Sequence, residues 1–151
     1  MNILAIDQAL KTGWASLKDG HVEYGTIEFK AERSESKGIR YLKFRKWLNE
    51  LIDLVKPDLV LYEQTHLRGG AASEIANGLT TRIQERCSEL NIDYKAIHSG
   101  TIKKHATDQG KASKFNMVKA AEKRFNIQLF GDDDIADALN ILGYAIDKFI
   151  I

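Results

Sequence analysis

Four carboxylates in three separated stretches of this chain have the residue type and placement for metal-assisted chemistry. Asp7 ends the apolar run Asn2-Ile-Leu-Ala-Ile-Asp7, and Glu63 ends a second, Asp58-Leu-Val-Leu-Tyr-Glu63. Asp134 and Asp137 lie in Gly131-Asp-Asp-Asp-Ile-Ala-Asp-Ala-Leu139, which opens what reads as the last helix. Carboxylate oxygens are the ligands Mg²⁺ prefers, and two such ions can clamp the attacking and leaving oxygens of a phosphodiester. A metal-dependent nuclease is the first function these residues suggest.

The plainer account of the early helix acids is that they complement the helix dipole and satisfy its free amides, worth about 0.3 to 1 kcal/mol each. That account leaves out Asp7 and Glu63, because a lone carboxylate at the end of an apolar strand is desolvated without compensation. With Asp134 set at zero on a helical wheel, the apolar positions Ile135, Ala138, Leu139, Leu142, Ala145, Ile146 and Phe149 centre near roughly 70°. Asp134 then borders the buried face, Asp137 lies about 60° from it, and Asp133 falls nearly opposite the apolar centre. The expected ligand pair is Asp134 and Asp137, with Asp132 or Asp133 as caps.

The elements that must position these acids are legible from periodicity. Residues 2 to 7 read as a strand, and residues 13 to 17 and 21 to 29 as two more, joined at Asp19-Gly20, a strong hairpin signal. Residues 36 to 56 place Ile39, Leu42, Trp47, Leu51, Leu54 and Val55 at helical spacing, and Pro57 stops them. A strand to Glu63, a helix over residues 71 to 90 and a strand over 92 to 97 follow. Ser113 is the expected N-cap of a helix to Phe125, and a last helix spans residues 133 to 148. Alternation of this kind predicts one α/β domain over residues 1 to 151, with a mixed five-stranded sheet: a three-stranded antiparallel meander plus two parallel strands, flanked by helices. With strands one and four adjacent and parallel, Asp7 and Glu63 would share the carboxyl edge of the sheet, where open α/β sheets usually bind ligands.

At 151 residues, 44% hydrophobic and 28% charged, the chain suits one ordinary core. The single cysteine, Cys87, excludes an intramolecular disulfide framework and a cysteine-rich zinc site. No stretch reads as a signal peptide or membrane span, so the expected location is the cytoplasm of a bacterial or phage-infected cell. A net charge of +1 hides a strong asymmetry. Residues 100 to 124 carry Lys103, Lys104, Lys111, Lys114, Lys119, Lys123 and Arg124 against Asp108 and Glu122, a net of +5, and residues 30 to 46 have the same balance. Basic segments around an acidic centre suit a polyanion; solvated helix faces are the alternative.

Taken together, Ala5-Ile-Asp7 followed by Thr12-Gly13, Tyr62-Glu63-Gln64, Ile102-Lys103 with Lys114 eleven residues on, and Asp134-Ile-Ala-Asp137-Ala-Leu139 resemble the RuvC Holliday junction resolvases over almost the whole chain. The resemblance implies an RNase H-like fold, a homodimer, and nicking of two opposed strands of a four-way DNA junction with two Mg²⁺ ions per site, Mn²⁺ substituting. By motif it assigns Asp7, Glu63, Asp134 and Asp137 to the metal, and Lys103 and Lys114 to the scissile phosphate. His66, at a position where the family often has an aromatic that stacks on bases, joins Arg68, Lys104 and Lys111 as expected DNA contacts. Where the family often has Gly-Ile-Asp-Pro-Gly, this chain has Ala5-Ile-Asp-Gln-Ala9.

Three other readings compete. Another RNase H-like nuclease, acting on RNA/DNA hybrids or flaps, would use the same acids. A non-catalytic branched-DNA binding module would bind without cutting, and an actin-like kinase fragment would need a second domain and a glycine-rich phosphate loop. Of the remaining residues, Trp14 and Trp47 fit the core, Tyr41 and Phe44 are candidates to face DNA, and His98 and His105 either touch phosphate or have no specific role. The stripe Ile75, Leu79, Ile83 and Cys87 either packs its helix on the sheet, the plainer account, or forms a dimer surface.

Overall fold

The computed structural model describes residues 1–65 and 69–150. Its strands are β1 (Ile3–Asp7), β2 (Lys11–Lys18), β3 (His21–Glu28), β4 (Leu59–Glu63) and β5 (Asp93–Ile97). The helices are α1 (Ile39–Val55), α2 (Ala71–Glu89), α3 (Ser99–Thr107), α4 (Lys114–Phe125) and α5 (Asp133–Phe149). The strands form one mixed sheet in the order β3-β2-β1-β4-β5, antiparallel through β3, β2 and β1 and parallel through β1, β4 and β5. This is the sheet expected from the sequence. The Asp19-Gly20 hairpin also forms, with Lys18 opposite His21 and positive φ at both turn residues, which matches the twist of the flanking strands.

Strand alternation divides the core in two. Ile3 and Ala5 of β1, with Leu59 and Leu61 of β4, face α3, α4 and α5, while Leu4, Ile6, Val60 and Tyr62 face α1 and α2. Beneath α1, Phe29, Phe44 and Trp47 make a cluster with ring centroids 5.2 to 5.5 Å apart. Phe44 is therefore core, not a DNA contact, whereas Leu42 and Leu54 of the expected stripe point outward, 64% and 68% exposed. The aromatic cluster turns the buried side of α1 toward Phe44 and Leu48, and one stripe of a helix cannot also bury residues two positions away.

Two further departures concern the helices after β5. The segment from Ser99 to Thr107, with no helix expected, forms α3, and its N-terminus is capped by His98, whose Nδ1 accepts the Gly100 amide at 3.0 Å. The α5 helix is buried on more than its wheel stripe: Ala136, Asn140, Ile141 and Gly143 are covered as well, because α4 packs along its second side. Asn140 satisfies its buried amide by donating to the Met117 carbonyl of α4 at 3.0 Å. No helix among the described residues is long and apolar enough to cross a membrane.

Candidate active site

β1 and β4 run parallel with Ile3 beside Leu59 and Ile6 beside Tyr62, so Asp7 and Glu63 stand next to each other one residue further along. Period-two alternation puts both on the same face as Ala5 and Leu61, the face that α5 covers. The first turns of α5 bring Asp134 and Asp137 over that edge. Asp132 is the N-cap, accepting the Ile135 amide at 3.0 Å, which settles the choice left open between Asp132 and Asp133.

Gly13 makes the close seating of α5 feasible. It pairs with Asp7 across the β1–β2 ladder, and a Cβ at this position would lie 2.0 Å from the Asp134 carbonyl oxygen and 2.5 Å from its carbon. Only a residue without a side chain lets the α5 backbone approach β2 so closely. Gln8, the residue after Asp7, points to the opposite face, where its buried amide donates to the Glu63 carbonyl at 3.0 Å and to Thr80 Oγ1 of α2 at 2.9 Å. It thus ties the ends of β1 and β4 together. Lys11 Nζ lies 3.5 Å from Asp134. Sequence reasoning singled out neither Gln8 nor Lys11, because a glutamine or lysine beside a strand end has no distinguishing pattern.

The electrostatics are those of crowded negative charge. Burial pushes the Asp7 carboxyl well above the usual range, and Asp137, Glu63, Asp134 and Asp133 push it further. Asp137 is raised to about 7 by burial, then by Glu63, Asp133 and Asp134, with Lys114 partly offsetting them. Asp134 is raised by burial and Asp133, against the hydrogen bond and charge of Lys11. The central site therefore comprises Asp7, Glu63 and Asp137, with Asp134 at its margin. The three consecutive carboxylates of Asp132, Asp133 and Asp134 also have oxygens within 4.8 Å of one another, but these are engaged by the helix cap, by Lys114 at 3.3 Å and by Lys11. Half-buried acids whose main influences on one another are repulsive form a donor set that fits a hard divalent cation, which would replace repulsion by attraction.

A stability measurement tests this arrangement. Between its unfolded value near 3.8 and its folded value of about 7, Asp137 binds more protons in the folded than in the unfolded chain. Its contribution is therefore fully present below about pH 4 and is lost as pH rises through about 7, and Asp7 acts in the same direction. Asp147, held low chiefly by Arg124, and Glu122, held low chiefly by the Leu129 amide, have the opposite dependence, confined to pH below the ordinary carboxylate values. In chelator, Tm should fall by roughly 3 to 8 °C between pH 5 and pH 8, the shift expected for a loss of about 1 to 3 kcal/mol, and saturating Mg²⁺ at pH 8 should restore it. A Tm that rises over this interval without metal would contradict the crowded-acid geometry.

Two pockets flank Glu63. One, about 290 Å³, is bounded by Asp7, Gln8 and the start of α2; the other, about 170 Å³, contains Asp137, Lys103 and Lys114. Both lysines expected near a phosphate thus stand beside the acids. Lys104 and Lys111 are exposed on α3 and on the loop before α4. His66 and Arg68 lie outside the described residues. His105 pairs with Asp147 at 2.7 Å and meets the Tyr144 ring edge-on, and His98 caps α3. Tyr41 packs on the α1–α2 core beneath the Arg82 guanidinium, 4.8 Å from its ring centre. In α2, Leu79, Ile83 and Cys87 are fully buried on the sheet and Ile75 packs beside them, so that stripe is core and does not serve as a dimer face. Burial also pushes the Cys87 thiol up to about 11.

No family model matches the chain. A crossover junction endodeoxyribonuclease RuvC of Ehrlichia canis is 26% identical over 148 residues, covering 93% of each chain. Thermus thermophilus RuvC superposes with a TM-score of 0.74, and the same protein in complex with a Holliday junction substrate with 0.77. Each of the two shares 16% identity with this chain and covers 93% of it and 90% of its own length. That likeness shows an RNase H-like fold of the RuvC type. Sequence similarity running nearly end to end on both chains, carried on this fold, makes the protein similar to the RuvC resolvases in sequence and in fold.

Proposed function

We propose that this protein is a structure-selective endodeoxyribonuclease that resolves four-way DNA junctions or related branched DNA, leaving 5′-phosphate and 3′-hydroxyl ends. The observation that carries the reading is the convergence of Asp7, Glu63 and Asp137 from three elements into one half-buried, mutually repelling site, with Asp134 at its edge and two lysines beside it. The Ehrlichia canis relative is a crossover junction endodeoxyribonuclease, and the Thermus thermophilus protein has been seen with a Holliday junction substrate.

The four acids would hold two Mg²⁺ ions, or Mn²⁺ in their place. The chemistry so supplied is activation of water for in-line attack and stabilisation of the departing 3′ oxygen. The chain's own groups do the rest. Lys103 and Lys114, lining the pocket with Glu63 and Asp137, offset charge building on the phosphoryl oxygens. Gln8 holds the end of β4 through the Glu63 carbonyl, and Lys11 orients Asp134. Lys104 and Lys111, with His66 and Arg68, hold the flanking DNA. A four-way junction has near two-fold symmetry, so a homodimer would present one site to each of two opposed strands. The whole activity resides in one nuclease domain acting in the cytoplasm.

The test is a gel assay with end-labelled four-way, three-way, flap, linear duplex and RNA/DNA hybrid substrates in Mg²⁺, Mn²⁺ or EDTA. Paired, metal-dependent nicks across the four-way junction are expected. Cutting of the hybrid alone would replace the proposal with a ribonuclease H activity, and tight junction binding without cutting in any metal would reduce the protein to a binding module.

A further inference from the structure

Beside the acids lies a groove of about 730 Å³ between α4 and the loop that leads into α5. Its walls carry Phe115 and Phe130, the two most exposed aromatic rings among the described residues, at 68% and 90%. Phe130 has φ of 52° and precedes Gly131 at φ of 80°, so a bulky residue sits in left-handed backbone and its ring is held out into solvent. Left-handed backbone is unfavourable for such a side chain and gains nothing here from packing. Observed strain of this kind is a pointer to use rather than to stability.

The charged groups that line the groove are balanced, Lys114 and Lys119 against Asp133 and Glu122. Lys114 and Lys119 line the groove, and Lys119 Nζ lies 5.4 Å from the Phe115 ring centre. Their ion-pair partners, Asp133 at 3.3 Å and Glu122 at 3.4 Å, also line it, so both lysines are already oriented toward the groove. Lys114 is shared: it borders this groove and also the smaller pocket with Glu63 and Asp137. The two sites therefore adjoin at Lys114.

We infer that Phe115 and Phe130 form a stacking platform for an unpaired DNA strand, whose backbone passes Lys119 and Lys114 toward the acids. Base faces stack on aromatic rings with little sequence preference, and alternating rings and cations match the alternation of bases and phosphates. The inference rests on the nuclease reading and names the part of the substrate that lies beside the cut: a strand opened at the branch. It also supplies a stacking surface distinct from the expected one at His66.

Fluorescence titration of the full-length protein in EDTA tests it, with a labelled single-stranded oligothymidine and a labelled linear duplex as probes. Phe115→Ala and Phe130→Ala should each weaken oligothymidine binding by about 5- to 100-fold, as expected for loss of one stacked base, and leave duplex binding unchanged. Phe130→Trp should restore it, and both exposed positions should tolerate substitution without loss of Tm. Unchanged oligothymidine affinity in the alanine variants, while the wild type still nicks junctions, would overturn this inference and leave the nuclease reading standing. A wild type that neither binds the single strand nor cuts any branched substrate would overturn both. If Phe130→Ala instead converts a dimer to a monomer, and binding returns wherever the dimer re-forms, the rings are a protein interface and the inference is wrong.

Discussion

Asp7→Asn is expected to lower junction cleavage in Mg²⁺ on the order of 10³-fold or more, about 4 kcal/mol of transition-state stabilisation, while junction affinity in EDTA stays within about twofold. Asn keeps the shape of the side chain and removes one negative ligand from the centre of the site. The basic groups that would bind DNA, Lys103, Lys104, Lys111 and Lys114, are on other elements and remain in place. The same substitution should raise Tm in chelator at pH 8 by roughly 2 to 5 °C, because the buried charge it removes is opposed mainly by desolvation and by Asp137, Glu63 and Asp134. That gain should shrink as pH falls, because the raised wild-type carboxyl takes up its proton. A variant that is more stable without metal and inactive with it is the signature of a site built at the expense of stability. Wild-type cleavage by Asp7→Asn would remove Asp7 from the catalytic group.

Gly13→Ala is expected to have the second largest effect, although it introduces only a methyl group and touches no carboxylate directly. The new Cβ would fall 2.0 Å from the Asp134 carbonyl oxygen, and that oxygen belongs to the helix backbone, so relief requires α5 to shift off β2. The expected loss is about 2 to 4 kcal/mol of stability, from overpacking where no side chain can swing away. A displacement of α5 near 1 Å would also spoil the alignment of Asp134 and Asp137 with Asp7, lowering cleavage by about 10²-fold at a temperature where the variant is still folded. Gly110→Ala is the control, since a Cβ there meets nothing within 4 Å and φ is not in the left-handed range. Thermal melts and single-turnover cleavage of the two variants side by side decide the matter. Equal behaviour would show that α5 is not held by the Gly13 contact.

Much of this arrangement was legible in the primary structure. The two apolar runs ending in Asp7 and Glu63, the Asp19-Gly20 hairpin, the Ser113 cap and the acid-rich start of α5 each carry a local signal, because turn geometry, capping and strand period depend on near neighbours in the chain. Even the shared face of Asp7 and Glu63 follows from period two once their strands are known to be adjacent. Where local pattern failed, long-range packing had overridden it. Leu42 and Leu54 had the spacing of a buried stripe, but the aromatic cluster of Phe29, Phe44 and Trp47 rotated α1 away from them. The α3 helix was missed because it is only nine residues long and buries only Ile102 fully.

By itself the sequence determined the strands, most of the helices and the four candidate acids, since each of these rests on interactions spanning a few residues. Only the tertiary structure decided that β1 lies beside β4, that Asp137 joins Asp7 and Glu63 while Asp134 turns to Lys11, and that Gly13 and Gln8 hold the site together. Those outcomes depend on contacts between residues 55 to 130 positions apart, and a hydrophobic period says which face of an element is buried but not which neighbour covers it.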